Sequence, residues 1–127
     1  MEDHKPVMLV VEDEPITRLY ECDVAEESGF FTLGAFSADD AIMELEGSTE
    51  IGFMLTDVNT PNGVDGIALA ETVKQRWPNV AVVVTSAQPE NAEKAREAGL
   101  EFVPKPFTGE QLMSALHGHD IAAVPTV

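Results

Sequence analysis

The stretch VAVVV at residues 80–84 decides the fold class, because it is an unbroken apolar run made mostly of β-branched residues. A second run of this kind, VMLVV, occupies residues 7–11. Continuous β-branched runs are typical of strands covered on both faces, as in a parallel sheet. Three more apolar runs predict strands at residues 30–36, 51–56 and 100–103. The sequence therefore predicts five short strands.

Amphipathic segments follow each of these strands and predict helices. They cover residues 15–28, 37–45, 66–77, 90–98 and 108–116. Alternation of strands and helices at this scale implies right-handed crossovers and a parallel sheet with helices on both faces. We therefore predict one α/β domain over residues 1–127, with a core at about 7–117 and a frayed tail at 118–127.

Local signals mark the ends and faces of several helices. Ser37 and Thr108 each begin a capping-box pattern, in which a hydroxyl bonds a backbone N–H three residues later. The apolar residues of the first helix form its predicted core-facing stripe: Ile16, Leu19, Tyr20 and Val24.

The charge balance narrows the class of partner. Seven Lys and Arg residues stand against 23 Asp and Glu residues, so the net charge is −16. Binding to nucleic acid or to an anionic membrane is unfavourable for such a chain, since both need a basic surface. A single cysteine, Cys22, leaves no internal disulfide, and no apolar run is long enough to cross a bilayer. We expect a cytoplasmic protein.

Polar residues follow four of the predicted strands, at the sheet edge where parallel strands all end. Glu12 and Asp13 follow the first strand, Asp57 the third, Ser86 the fourth and Lys105 the fifth. Neighbouring carboxylates repel one another, and a hard cation such as Mg²⁺ relieves that repulsion. A lysine and a hydroxyl would complete a site for a phosphoryl group.

This ordered set resembles the receiver domain of two-component response regulators, of the chemotaxis-regulator type. The resemblance extends over about residues 7–116, and its elements are Glu12-Asp13, Asp57, Asp65-Gly66, Ser86-Ala87 and Lys105-Pro106-Phe107. It implies a flavodoxin-like fold with strand order 2-1-3-4-5. It also implies a phosphoacceptor switch in a two-component or phosphorelay pathway.

The resemblance further implies the phosphoacceptor and the metal ligands. Asp57 is similar to the residue that takes a phosphoryl group from the phosphohistidine of a sensor kinase or phosphotransfer protein. The reaction depends on Mg²⁺ in this family. The implied ligands are Glu12, Asp13 and Asp57, together with the backbone carbonyl of Asn59.

Four other positions have implied roles around the phosphoryl group. Ser86 and Lys105 resemble the hydroxyl and the cation that contact it. Phe102 occupies the place of the aromatic switch residue, although a plain core role fits it equally well. Asn59 and Gln88 lie where the family adjusts the lifetime of the acyl phosphate.

The chain departs from the family pattern in two segments. The loop from 58 to 66 is one residue longer than the commonest version. The stretch from Ser86 to Lys105 is shorter by about one helical turn. We therefore predict a shortened, weakly protected fourth helix that becomes ordered on phosphorylation. We also predict a cis peptide bond between Lys105 and Pro106, since only X–Pro bonds adopt cis with appreciable frequency.

The sequence is also compatible with two other classes of function. A phosphatase or phosphotransferase with an aspartate nucleophile would need a general acid two residues after Asp57, where this chain has Asn59. A divalent-ion binding module would need no phosphoryl chemistry. We prefer a non-enzymatic switch that catalyses only its own phosphorylation and dephosphorylation. We expect a stand-alone receiver whose output runs through a partner protein; the alternative is a receiver domain excised from a longer protein.

Overall fold

A computed structural model describes residues 5–59 and 65–116, in which strands and helices alternate along the chain. The strands are β1 (Val7–Val11), β2 (Phe31–Ala35), β3 (Ile51–Asp57), β4 (Ala81–Ser86) and β5 (Glu101–Pro104). The helices are α1 (Pro15–Glu27), α2 (Ala38–Gly47), α3 (Gly66–Arg76), α4 (Glu90–Glu97) and α5 (Gly109–Ala115). The predicted strands and helices are therefore confirmed, close to their predicted ends.

The five strands form one parallel sheet in the order β2-β1-β3-β4-β5. The predicted flavodoxin-like order is thus confirmed. Val11 at the end of β1 pairs with Thr56, and Asp57 at the end of β3 pairs with Thr85. The loops that follow β1, β3, β4 and β5 consequently lie along one edge of the sheet.

Helices cover both faces of the sheet, which explains the continuous apolar runs. Met8 and Val10 belong to the cluster that includes residues of α1 and α5, whereas Leu9 and Val11 belong to the cluster with α2, α3 and α4. Successive strand residues point to opposite faces, and here both faces are buried. The two apolar layers hold the polar edge in place.

Helix α1 packs on the sheet through a different face from the one we predicted. Its buried residues are Glu21, Val24 and Ala25. The other three residues of the predicted stripe are exposed: Ile16, Leu19 and Tyr20. The prediction was wrong for these three, because contact of Val24 and Ala25 with the core turns the opposite side of the helix outward. The face that includes Val24 and Ala25 carries Glu21 one turn earlier.

Helix α4 is short, as the sequence predicted. It has eight residues, against 10 to 13 in the first three helices. Only Asn91 and Ala95 are buried, and its N-cap residue, Pro89, offers no side-chain hydrogen bond. Gly99, with a φ of 74°, follows the end of the helix in a conformation that favours glycine.

Several local predictions are also confirmed. Ser37 and Thr108 accept hydrogen bonds from backbone N–H groups three residues later, and Thr108 completes a full capping box with Gln111. The peptide bond between Lys105 and Pro106 is cis. We predicted a longer loop at residues 58–66 and a frayed tail at residues 118–127; residues 60–64 of that loop and the whole of that tail lie outside the described part of the chain. None of the described helices combines the length and apolar character needed to span a membrane.

Candidate functional site

Three carboxylates meet at the carboxyl edge of the sheet. Glu12 and Asp13 follow β1, and Asp57 ends the neighbouring strand β3. One oxygen from each lies within 4.8 Å of the others, and Glu12 and Asp57 are buried. The structure therefore brings together the three acidic residues that the sequence singled out. Their oxygen donors match the preference of Mg²⁺ for carboxylate ligands.

Hydrogen bonds hold the β1–α1 loop that carries Glu12. The backbone N–H of Glu12 donates to the carbonyl of Ala35 at 2.9 Å, and Arg18 donates to the carbonyl of Glu12 at 2.8 Å. The backbone N–H of Glu14 donates to the Glu12 carboxylate at 3.2 Å, and Glu14 itself caps α1 by accepting from Thr17. These hydrogen bonds within the protein constrain the position of the loop.

A close approach of the backbone fixes Asp57 on the other side. The N–H of Gly66 donates to the carbonyl of Val58 at 2.8 Å. A Cβ atom at Gly66 would stand 2.0 Å from the carbonyl oxygen of Asp57, so only glycine fits there. Asp65 caps α3 by accepting from the N–H of Ile67. The start of α3 therefore packs directly against the residue at the end of β3.

Lys105, in the loop after β5, places its ammonium group beside this cluster of carboxylates. Its backbone N–H donates to the carbonyl of Ser86 at 3.0 Å. Its Nζ atom lies 2.7 Å from Oε1 of Glu12, 3.6 Å from Oδ2 of Asp57 and 3.7 Å from Oε2 of Glu21. Burial by itself lowers the pKa of Lys105, but the hydrogen bond to Glu12 and the nearby carboxylates outweigh it and raise the pKa.

The carboxyl group of Asp57 has an environment that disfavours its charge. Burial raises its pKa above the ordinary value, the positive charge of Lys105 opposes that rise, and the negative charge of Glu12 adds to it. The backbone N–H of Asn59 donates to Oδ1 of Asp57 at 3.4 Å. Additional positive charge at this edge would therefore stabilise the ionised form of Asp57.

Glu21 is a fourth acidic residue near this site, and sequence reasoning missed it. It lies on α1, is 1% exposed, and approaches Lys105 from the helix side. Burial raises the pKa of Glu21 to about 8, against the opposing charge of Lys105 and with the support of Glu12 and Asp57. The sequence could have indicated this burial, because Glu21 precedes Val24 and Ala25 by three and four residues and so lies on the same face of the helix.

Ser86 ends β4 beside this cluster, but its hydroxyl is directed to the start of α4. Its Oγ atom accepts a hydrogen bond from the amide of Asn91 at 2.8 Å and from the backbone N–H of Gln88 at 3.0 Å. The Gln88 side chain in turn accepts from Asn59 at 3.4 Å. Asn59 and Gln88, which the sequence placed in separate loops, therefore meet across the site.

Phe102 lies on β5, paired with Val84. It is half-buried and packs against the apolar cluster that contains α2, α3 and α4. Both interpretations of this residue, a core side chain and an aromatic switch, are compatible with that position.

Comparison with protein families gives one match that covers most of the chain. The model described as "Response regulator receiver domain" matches residues 8–117. Among curated proteins, the chain is 27% identical over 112 residues to the transcriptional regulatory protein PdtaR of Mycobacterium tuberculosis, covering 86% of this chain and 54% of that protein. It is 28% identical over 108 residues to the sensor protein TorS of Escherichia coli, covering 83% of this chain and 12% of TorS. The chain thus spans about half or less of the length of these relatives.

Solved structures of receiver domains also match this chain, and the match covers nearly the whole length of each of them. The receiver domain of NtrX from Brucella abortus matches with a TM-score of 0.77 and 28% identity, covering 88% of this chain and 96% of that one. A response regulator receiver protein from Sinorhizobium medicae matches with a TM-score of 0.79 and 26% identity, covering 93% of this chain and 96% of that one.

Proposed function

Because this chain belongs to the response regulator receiver domain family, whose members are phosphoacceptor switches of two-component signalling, we propose that Asp57 is its phosphoacceptor. One observation carries the proposal. Asp57 ends a central strand beside the carboxylates of Glu12 and Asp13, with the Lys105 ammonium group 3.6 Å from its Oδ2 atom. A nucleophile, a set of metal ligands and a cation for the phosphoryl group therefore adjoin one another.

The proposed reaction is transfer of a phosphoryl group from a phosphohistidine to Asp57. A carboxylate oxygen of Asp57 forms a bond to phosphorus as the bond from phosphorus to the imidazole nitrogen breaks. The released imidazole keeps the bonding electron pair, takes a proton from solvent, and leaves an acyl phosphate on Asp57. Lys105 offsets the negative charge on the phosphoryl oxygens, because its ammonium already lies between Glu12 and Asp57.

Glu12, Asp13 and Asp57 would hold Mg²⁺, with the backbone carbonyl of Asn59 as a further ligand. Three adjacent carboxylates with a single lysine leave an excess of negative charge, which suits a divalent cation with oxygen ligands. When bound, Mg²⁺ supplies positive charge that reduces repulsion between Asp57 and an anionic phosphoryl group. Receiver domains bind Mg²⁺ in general.

The proposal extends to the partners and the scope of the activity. The phosphodonor is a sensor histidine kinase or a phosphotransfer protein, and the output runs through a downstream protein. With a net charge of −16, the chain is unsuited to bind nucleic acid itself. The chain would catalyse only its own phosphorylation and dephosphorylation, in the cytoplasm. Ser86 would follow the phosphoryl group, and Phe102 would respond to that movement.

Incubation of the full chain with phosphoramidate and Mg²⁺ tests the proposal. Intact mass should show one added phosphoryl group, and peptide mapping should locate it on Asp57. Asp57→Asn should remove it, whereas Asp23→Asn, an exposed control on α1, should behave like the wild type. Phosphorylation of Asp57→Asn to the wild-type extent would overturn the assignment. Mg²⁺ binding without any phosphorylation would indicate an ion-binding module, and repeated turnover of an aryl phosphate would indicate a phosphatase.

A further inference from the structure

Glu21 is a buried carboxyl group for which the proposed reaction has no use. Its side chain is 1% exposed on a helix face that otherwise contacts the apolar core. Within residues 5–59 and 65–116, neither of its carboxylate oxygens has a hydrogen-bond partner. A buried polar group without a hydrogen-bond partner lowers the stability of the folded state, so the presence of Glu21 at this position calls for an explanation.

The groups that face Glu21 come from three other elements. Lys105 approaches from the loop after β5, and Glu12 and Asp57 add negative charge from the ends of β1 and β3. Of these, only Lys105 is positive, with its Nζ atom 3.7 Å from Oε2 of Glu21. The ammonium therefore stabilises Glu21 as well as the two carboxylates at the sheet edge.

Lys105 is shared unequally by these carboxylates. Its hydrogen bond goes to Glu12, while Asp57 and Glu21 lie at almost equal distances of 3.6 Å and 3.7 Å. Lys105 and Glu21 both line a cavity of about 450 Å³ between α1 and the loop after β5.

We infer that Glu21 is a positioning residue, which in its ionised form competes with Asp57 for the Lys105 ammonium group and thereby slows phosphorylation of Asp57. This inference rests on the proposed function. A negative charge at 3.7 Å attracts the ammonium more strongly than it would in bulk water, because the side chains of Lys105 and Glu21 are only 19% and 2% exposed. The same charge partly cancels the positive potential that Lys105 would offer to an incoming phosphoryl group. Removing the charge should eliminate one of the two carboxylates, Glu12 and Glu21, that draw Lys105 away from Asp57.

The test compares initial rates of phosphorylation by phosphoramidate with Mg²⁺, using the full chain at pH 9, which is above the pKa of about 8 to which burial raises Glu21. Glu21→Gln keeps the shape and removes the charge. Glu21→Leu also removes the charge and places an apolar side chain at the buried position, in case the amide is poorly tolerated. Glu27→Gln is the matched control, since it removes an exposed charge from the same helix.

We expect Glu21→Gln and Glu21→Leu to be phosphorylated about three- to tenfold faster than the wild type, with Glu27→Gln unchanged. If Glu21 acts through the lysine, Glu21→Gln should have no effect in a Lys105→Met background. A second measurement needs neither metal nor phosphodonor. In Mg²⁺-free buffer at pH 9, Lys105→Met should lower the urea midpoint of unfolding more in the wild type than in Glu21→Gln, because the wild type is left with one more buried carboxylate that no lysine compensates.

Equal or slower rates in both Glu21 variants, with Asp57 still phosphorylated in the wild type, would overturn the inference and leave the proposed function intact. An acceleration that persists without Lys105 would also overturn it, since Glu21 would then act independently of the lysine. Independent effects of the two substitutions on the urea midpoint would overturn it as well. Failure of the wild type to become phosphorylated on Asp57 would instead refute the proposed function on which it rests.

Discussion

Lys105 donates a 2.7 Å hydrogen bond to Glu12, from a position 93 residues later in the chain. The cation that we propose for the phosphoryl group therefore rests on a proposed metal ligand rather than on the proposed phosphoacceptor, which lies 3.6 Å away. A cation bound by Glu12 would compete with this hydrogen bond for the same carboxylate. Metal binding and movement of Lys105 towards Asp57 should therefore be coupled.

Removal of Lys105 should slow phosphorylation. Lys105→Met deletes the ammonium group that offsets charge on the phosphoryl oxygens, and we expect the rate with phosphoramidate to fall about 100-fold. Lys94→Met, which removes an exposed lysine from α4, should leave the rate unchanged. A Lys105→Met protein that reacts as fast as the Lys94→Met control would exclude Lys105 from the reaction.

Neutralising the acidic cluster should weaken metal binding. We expect Glu12→Gln and Asp13→Asn each to reduce the affinity for Mg²⁺ about tenfold or more in a calorimetric titration, since each removes one of the few carboxylate ligands. Chelation of Mg²⁺ should abolish phosphorylation of the wild type. The control is Asp23→Asn, and an equal loss of affinity in that variant would point to bulk charge rather than to a built site.

Gly66→Ala should both destabilise the domain and displace the backbone of Asp57. The new Cβ atom would stand 2.0 Å from the Asp57 carbonyl oxygen and 2.8 Å from Cα of Val58, both backbone atoms that cannot easily move. We expect the free energy of unfolding to fall by about 3 kcal/mol, as in severe overpacking. Gly47→Ala offers a matched control, because a Cβ atom there meets nothing within 4 Å. Similar urea midpoints for the two variants would contradict this account.

The stability of the domain should depend on pH through Glu21. Burial raises the pKa of Glu21 from its ordinary value of 4.5 to about 8, so between these values the folded state holds a proton that the unfolded chain has lost. Unfolding then releases a proton, and stability falls as pH rises, with a limiting slope of about 1.4 kcal/mol per pH unit.

Urea unfolding of the wild type and Glu21→Leu in Mg²⁺-free buffer measures this effect. We expect Glu21→Leu to gain stability over the wild type as the pH is raised from 5.5 to about 8.5. The exposed control Glu27→Gln should follow the wild type. A difference between Glu21→Leu and wild type that stays constant over this range would show that Glu21 does not exchange a proton on unfolding.

Helix α4 should be the least protected of the first four helices. It buries only Asn91 and Ala95, whereas α3 buries five residues. Its side-chain link to the sheet edge is the hydrogen bond from Asn91 to Ser86. Amide exchange should therefore be faster in residues 90–97 than in residues 66–76, and phosphorylation should change it as Ser86 moves. Equal protection in both helices, unaltered by phosphorylation, would contradict this prediction.

The sequence by itself determined the sheet and the list of residues at its edge. Unbroken β-branched runs, such as residues 80–84, predict buried parallel strands because both of their faces need an apolar cover. The chain direction then places Glu12, Asp57 and Lys105 at the same edge, whatever the details of packing. Local signals, such as the capping box at Thr108, are equally independent of the rest of the fold.

Only the tertiary structure decided which partner each side chain takes. Residue spacing in α1 allows more than one face of the helix to contact the sheet. In the structure Val24 and Ala25 pack on the core, which buries Glu21 and exposes Ile16. Lys105 could reach several carboxylates, and its hydrogen bond goes to Glu12. Helical periodicity is a property of a few neighbouring residues, whereas these choices depend on contacts between segments that are distant in the chain. The burial of the Glu21 carboxyl group therefore depends on how α1 packs on the sheet, and the sequence alone does not show that packing.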